Sequence, residues 1–138
     1  MTPPILLLTP TLSLAFADAA LAVGAAAFDL DAIEESEIRE IRAHGATLEV
    51  LCAHFLNECL YVWEVEGFGW RRIEFAVFDV EPRAGAEPMR LHSFLHGQPF
   101  EPGGPPPRRP IPSISSGDVR VRALGNQFEL SIAIRAPQ

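Results

Sequence analysis

The chain has 138 residues and a mass of 15.1 kDa, and 48% of its residues are hydrophobic against 21% charged. This size and composition are typical of one folded domain, which excludes a disordered tail and argues against a multidomain enzyme. Eleven basic residues against eighteen acidic ones leave a formal net charge of −7, which disfavours a nucleic-acid binder that neutralises many phosphates. Every basic residue is arginine, so chemistry that needs a lysine amine is excluded.

The first 24 residues are mostly apolar, as in the signal peptide of a secreted protein. The stretch PILLLTPTLSLAF is followed by small residues, but the basic n-region of a signal peptide is missing, since the first basic residue is Arg39. Pro3, Pro4 and Pro10 also interrupt the apolar run. No stretch reaches the roughly 18 uninterrupted apolar residues of a membrane span. We therefore expect a cytoplasmic protein that does not associate with membranes, and the alternative is an exported protein cleaved near Ala17.

The first half of the chain predicts strand, helix and strand in succession. Residues 5–8 form a short apolar run that suits a buried strand. Thr11 is a typical N-cap for a helix over 12–28, in which apolar residues recur on one face. The next stretch is ambiguous, and we place a turn at 29–35 and a strand at 37–43.

The clearest helical pattern covers 46–65, where apolar residues recur every three or four positions. Gly67 and Gly69 are expected to end this helix. Cys52 and Cys59 lie about 10 Å apart along it, too far for a disulfide within the helix. We interpret both cysteines as buried small hydrophobic residues in a reducing compartment.

The second half of the chain predicts only strands. Residues 71–81 are apolar on both faces, with Ile73, Phe75 and Val77 on one side, so this strand is expected to be central. After the loop 82–88, residues 89–97 form a further candidate strand.

The end of the chain combines a proline-rich loop with a hairpin. Residues 98–113 contain seven of the thirteen prolines and are predicted to be a loop. Residues 118–124 and 127–134 alternate around the Gly125-Asn126 connection, which indicates a hairpin. The element order favours an α+β fold in a single domain over 1–138, with two main helices packed on a mostly antiparallel sheet.

No catalytic constellation is present, because the motifs GxSxG, HExxH, GxxxxGK[ST] and GxGxxG are all missing. His54 and Glu58 lie one helical turn apart and could share a metal or a proton, but two ligands do not make a closed site. His92 and His96 would lie about 13 Å apart on a strand, too far for one ion.

Two further segments have both a simple and a functional interpretation. The acidic run between 29 and 40 is most simply a solvated face, and its spacing does not match a calcium-binding EF-hand loop. The tract PPPRRPIP is either a rigid surface loop or a polyproline ligand for an aromatic groove.

Three segments resemble the archease family, and the resemblance extends from Thr11 to Ile134. ATLEVLCAHFLNECLYVWEVEGFGWRRIEF resembles the family's core segment, a helix of the pattern L-x-x-W-L-N-E-L-L-Y followed by a strand. TLSLAFADAALAV resembles the first helix, and LHGQPFEP resembles a "GEPFD" turn. In the core segment the directly matching residues are Leu56, Asn57, Glu58, Leu60 and Tyr61.

The resemblance implies a small α+β domain that is not an enzyme. Members of this family are accessory proteins that bind a divalent metal such as calcium. They help the RNA-splicing ligase, which joins RNA ends carrying 3′-phosphates, to reach its guanylylated state and turn over repeatedly. The expected partner of this chain is therefore that ligase, without direct contact to nucleic acid.

The chain departs from the family at its polar positions. The aspartate of an opening "H-T-A-D" element falls at about Thr2, and the aspartate of a terminal "V-V-L-D-I" strand is replaced by Arg135. A hard cation without carboxylates would lose hydration for little return. We therefore expect weak or no metal binding and no cofactor held by this chain.

Other family positions also differ. Gln98 stands where the family has the turn glutamate, and the family's next histidine and lysine would fall near Pro105 and Pro112. The family segment "A-V-T-Y-H" corresponds to SISSG at 113–117. The alternative to an accessory protein is thus a diverged protein-binding module that retains only the fold. The residues with possible partner contact are Gln98, Glu101, Arg108, Arg109 and Arg135.

Overall fold

The architecture is given by a computed structural model, which describes residues 4–81, 88–100 and 111–135. Its helices and strands follow the predicted order. They are β1 (Ile5–Thr9), α1 (Leu12–Ala27), β2 (Glu37–Gly45), α2 (Leu48–Glu66), β3 (Phe68–Asp79), β4 (Met89–Pro99), β5 (Val119–Leu124) and β6 (Gln127–Ile132). Two short 3-10 helices, Leu30–Ala32 and Ser116–Asp118, precede β2 and β5.

The strands form two three-stranded sheets in the orders β1-β6-β5 and β2-β4-β3, and all four described pairings are antiparallel. The α+β class is thus confirmed, although the strands divide between two sheets instead of forming one. Both helices contact strands of both sheets, and the hydrophobic core is built from the inward faces of these layers. Within the described residues no helix is long and apolar enough to cross a membrane.

Local hydrogen bonds explain where the helices begin and end. The Thr11 hydroxyl accepts from the Leu14 N–H at 3.1 Å, as predicted for the N-cap of α1. Thr47 caps α2 in the same way, so this helix begins at Leu48 and not at 46. Gly67 adopts a left-handed conformation with φ of 66°, and this change of backbone conformation ends α2. Residues other than glycine rarely adopt this conformation.

The prediction that β3 is central is wrong: β3 is an edge strand, and β4 lies between β2 and β3. The cause is a register shift between Phe75 and Val77, which changes the face on which the following residues lie. Phe78 therefore contacts Phe75, with ring centroids 5.1 Å apart, and Val77 is 37% exposed. The sequence pattern is apolar on both faces because it continues across this bulge.

The proline-rich segment begins two residues later than predicted, since Gln98 and Pro99 complete β4, with Pro99 opposite Phe68 of β3. Residues 101–110 lie outside the described part of the chain, as does most of the predicted loop 82–88. The hairpin between β5 and β6 is confirmed, and Gly125 at its turn has φ of 63°.

Candidate functional site

The site suggested by the family positions centres on Arg135, which follows β6. Its Nε donates to Oδ1 of Asp118 at 3.1 Å. The other carboxylate oxygen of Asp118 accepts from the backbone N–H of Ser115 at 3.1 Å and from the Ser115 hydroxyl at 3.0 Å. These hydrogen bonds, the backbone one first, lower the pKa of Asp118. Both oxygens of this carboxylate are therefore engaged.

Backbone contacts and one helix side chain hold this cluster in place. The Ala133 N–H donates to the Asp118 carbonyl at 2.9 Å, which ties the end of β6 to the start of β5. Asn57 of α2 forms two hydrogen bonds with the backbone of Ile114, one residue before Ser115. The cluster thus lies where the segment that follows the proline-rich loop meets α2.

The donor set at this cluster does not fit a divalent metal. The group beside Asp118 is already a cation, because the Arg135 guanidinium lies against its carboxylate and is itself 68% exposed. Calcium needs six to eight oxygen ligands, and a second positive charge here would be repelled by Arg135. Across 4–81, 88–100 and 111–135 there is no group of three or more His, Cys, Asp or Glu residues that could hold a metal. Thr2 lies outside those ranges.

Gln98 belongs to a different part of the molecule from Arg135. It is in β4, opposite Gly69 of β3, and its side-chain oxygen accepts from the Glu34 N–H. Gln98 thus fastens the segment before β2 to the end of the β2-β4-β3 sheet, whereas Arg135 follows the other sheet. The other predicted contact residues, Glu101, Arg108 and Arg109, lie outside the described residues.

Of the two residue pairs singled out in the sequence, His54 and Glu58 contact each other, whereas His92 and His96 have separate partners. His54 Nε2 lies 3.5 Å from Glu58 Oε1, and His54 Nδ1 lies 3.1 Å from both the N and the O of His44. His92 and His96 face outward from β4, each towards a different glutamate. His92 Nε2 is 2.8 Å from Glu40, and His96 Nε2 is 2.9 Å from Glu74.

Three glutamates of the acidic run, Glu35, Glu37 and Glu40, pair with arginine side chains. Glu35 accepts from Arg72 at 2.7 Å, and this hydrogen bond lowers the pKa of Glu35. Glu37 pairs with Arg39 at 3.2 Å. These carboxylates are at least partly exposed and lie against cations, which favours the solvated face over a calcium site.

The predicted burial of the two cysteines is confirmed. Cys52 and Cys59 are both free thiols and both buried. Burial raises the pKa of each thiol well above its usual range. Because the thiolate is the reactive form, neither cysteine is a candidate nucleophile.

Sequence reasoning missed Asp118, although a signal for it is present. Ser115 and Asp118 have the spacing of a capping box, in which the first side chain and the fourth satisfy each other's backbone groups. The contact of Asn57 with Ile114 carries no comparable local signal, because the two residues are 57 positions apart.

Comparisons with known proteins all match this chain to one family. The model of the Archease protein family (MTH1598/TM1083) matches residues 5–134. Protein archease of Pyrococcus abyssi is 26% identical over 110 residues, which are 80% of this chain and 74% of that protein. Protein archease-like of Drosophila melanogaster is 30% identical over 94 residues, 67% of this chain and 56% of that protein, so the match spans little more than half of the Drosophila relative.

A solved structure has the same fold. The solution structure of Methanobacterium thermoautotrophicum protein 1598 superimposes with a TM-score of 0.70 and covers 94% of this chain and 88% of its own. Its sequence identity to this chain is 16%, so the likeness concerns the fold alone.

Proposed function

Because this chain belongs to the archease family, we propose that it is an accessory protein of an RNA-splicing ligase in tRNA splicing or RNA repair. The match to the family model over residues 5–134 carries this proposal, since it includes every helix and strand of the fold. The accessory protein would help the ligase to become guanylylated and to turn over. The partner is the ligase itself, in the cytoplasm, and the chain contacts neither nucleic acid nor a membrane.

In this proposal the chain is not an enzyme. The chain has no lysine, so a covalent lysyl-nucleotide intermediate cannot form on it. The two buried cysteines and the ion-paired carboxylates described above offer no activated nucleophile.

The proposal also includes weaker metal binding by this chain than by other members of its family. If the accessory protein acts by holding a metal near the nucleotide site of the ligase, Arg135 replaces an attractive charge with a repulsive one. Gln98 and Arg135 remain the described residues proposed for partner contact. The exposed guanidinium of Arg135 is available to an acidic group of the ligase.

Multiple-turnover RNA ligation with the cognate ligase tests this function. The chain should bind the ligase in a pull-down and should stimulate ligation only weakly. Arg135→Asp alone should not restore stimulation, whereas Arg135→Asp with an N-terminal His-Thr-Ala-Asp extension should restore part of it. Arg120→Asp, the same charge change at an exposed position of β5, is the matched control and should have no effect.

The outcomes separate the proposal from its alternative. Failure to bind the ligase would contradict the accessory role and favour a diverged binding module for another protein. Strong stimulation by the unmodified chain would contradict the role given to Arg135, because it would make a carboxylate at that position dispensable.

A further inference from the structure

β1 is an edge strand that carries no charged residue and exposes two leucines. Among the described strands it pairs with β6 alone, so no described strand covers its other edge. Leu6 and Leu8 are 65% and 55% exposed, whereas Ile5 and Leu7 pack against the core. The free edge of β1 is therefore bordered by an apolar strip on the outward face of its sheet.

The other three described edge strands are each protected against further pairing. β2 and β3 carry several charged side chains, and β5 carries Arg120 and Arg122. The backbone N–H of Val121 in β5 is also occupied, since it donates to Oε2 of Glu49 on α2 at 3.3 Å. Charged residues on an edge strand oppose the addition of another strand. β1 is the one described edge strand that lacks this protection.

The surface beside β1 adds little charge that would repel a second copy, although the protein as a whole has a net charge of −7. Leu6 lies opposite Ser131 of β6. Leu8 lies opposite Glu129, whose carboxylate pairs with Arg122 of β5 at 2.8 Å. The neighbourhood of the free edge is therefore apolar or charge-compensated.

We propose that β1 pairs antiparallel with β1 of a second copy of this chain, around a two-fold axis at Leu7. This register pairs all five residues of the strand, because it places Leu6 opposite Leu8 of the second copy and Ile5 opposite Thr9. Residues opposite each other in an antiparallel pair lie on the same face. Both exposed leucines of each copy thus gain a leucine partner, and two three-stranded sheets join into one of six strands.

The proposed assembly stops at two copies. The pairing uses the free edge of β1 in both copies, which gives a closed two-fold dimer. Pro4 and Pro10 flank the strand, and proline has no backbone N–H with which to extend the ladder. Five residue pairs are far fewer than the roughly 20 to 30 residues a side of a stable interface, so the dimer should dissociate on dilution. This association goes beyond the accessory role and is measured without the ligase.

Sedimentation velocity of the intact chain tests the dimer, at chain concentrations from about 1 to about 500 µM, a range suited to weak association. The mass should rise from one copy to two and no further. Leu6→Lys and Leu8→Lys should each weaken dimerisation at least about tenfold, because each places two ammonium groups near the axis. Added salt should strengthen the dimer, since it screens the repulsion between two acidic chains.

Leu124→Lys is the matched control, because it makes the same change at a leucine that is 40% exposed on β5, the opposite edge of the same sheet. It should leave dimerisation unchanged. Melting temperatures close to that of the unchanged chain would verify that the variants fold. A chain that stays monomeric throughout the concentration range would overturn the proposal, as would equal weakening by Leu8→Lys and Leu124→Lys.

Cysteine cross-linking tests the register separately. Opposite residues of an antiparallel pair have Cβ atoms about 4.5 to 5.5 Å apart, against about 7 to 8 Å for diagonal neighbours. A mixture of Leu6→Cys and Leu8→Cys chains should therefore form the mixed disulfide under mild oxidation faster than either variant cross-links to itself. The two native cysteines are buried and should not contribute. Equal rates of mixed and self cross-linking would overturn this register.

Discussion

Asn57 and Ile114 are joined by two hydrogen bonds of 2.7 Å, although 57 positions separate them in the chain. The Asn57 Nδ2 donates to the Ile114 carbonyl, and the Asn57 Oδ1 accepts from the Ile114 N–H. A single amide side chain on α2 thus replaces a strand partner for the segment that follows the proline-rich region. Ile114 is 3% exposed, so this contact also fixes an apolar side chain in the core.

Replacing this amide should destabilise the fold. Asn57→Ala leaves the Ile114 N–H and carbonyl without the two bonds, and we expect a loss of about 1 to 3 kcal/mol in the free energy of unfolding. Chemical denaturation measures this loss. Glu64→Ala, at an exposed position of the same helix, is the control and should change stability by less than about 0.5 kcal/mol. Equal effects of the two substitutions would contradict the role of Asn57.

Gly24 is expected to resist replacement by a better helix former. A Cβ at this position would lie 2.9 Å from Nε1 of Trp70, which donates to the Ala20 carbonyl at 2.9 Å, and 3.0 Å from the Phe28 ring. Gly24→Ala should therefore cost about 1 to 3 kcal/mol through overpacking, although helix propensity alone would give a gain of about 1 kcal/mol. Thermal and chemical denaturation measure the sign of the change.

A double substitution identifies the cause of that cost. Trp70→Phe removes the indole nitrogen from the crowded position, so Gly24→Ala should be less harmful in that background than in the unchanged chain. Similar costs in both backgrounds would show that crowding against Trp70 is not responsible.

The core role of α2 predicts a large cost for truncating Phe55. Phe55 is fully buried, and its ring contacts both Phe16 of α1 and Phe75 of β3. Phe55→Ala should cost about 2 to 5 kcal/mol, and Leu56→Ala, also fully buried, should fall in the same range. Tyr61→Ala is the comparison, because Tyr61 is 57% exposed. Losses below about 0.5 kcal/mol for both buried positions would refute this placement.

The lowered pKa of Asp118 predicts a pH-dependent contribution to stability. A carboxyl group whose pKa falls on folding stabilises the folded state above its unfolded pKa, about 3.9. That contribution is lost as the pH drops through the lower folded value. Asp118→Asn should therefore cost about 1 kcal/mol at pH 7, since solvent near Arg135 screens the ion pair.

Denaturation from pH 7 to pH 2 measures this dependence. The difference in stability between the unchanged chain and Asp118→Asn should persist to about pH 4 and shrink below it. Asp31→Asn, at an exposed carboxyl, is the control. A difference that grows towards acid would have the wrong sign for a lowered pKa.

The chain should show no site-bound divalent metal. The reason is the donor set beside Arg135, where the carboxylate of Asp118 already accepts three hydrogen bonds. Calorimetric titration with calcium, magnesium or manganese should give no saturable signal in the micromolar range. One-to-one binding in that range would contradict this expectation.

The order of helices and strands could be predicted because it depends on local patterns. Thr11 begins α1 and Gly67 ends α2 through groups within a few residues of them. The division into two sheets depends instead on contacts between distant strands, such as Ile5 of β1 opposite Ile132 of β6. No periodicity within one segment encodes that pairing.

The candidate site was less predictable for the same reason. The resemblance to the archease family directed attention to Arg135, but its ion pair with Asp118 depends on how the ends of two strands meet. The block of arginine and histidine side chains on the outward face of β2 and β4 could not be predicted, because its members lie on separate strands. Arg42 and Arg90 are 48 positions apart and become neighbours only through the register of β2 and β4.

The register shift at Ala76 has a consequence for how this part of the chain tolerates insertions and deletions. Among the described strands, β3 pairs with β4 alone, so an added residue disturbs a single ladder. The same insertion in β4 would disturb two ladders at once and move the side chains facing both neighbours. We therefore expect length differences among related sequences to accumulate in β3 and to spare β4. An alignment that follows hydrophobic residues without a gap near Ala76 would then assign Val77 and Phe78 to the wrong faces.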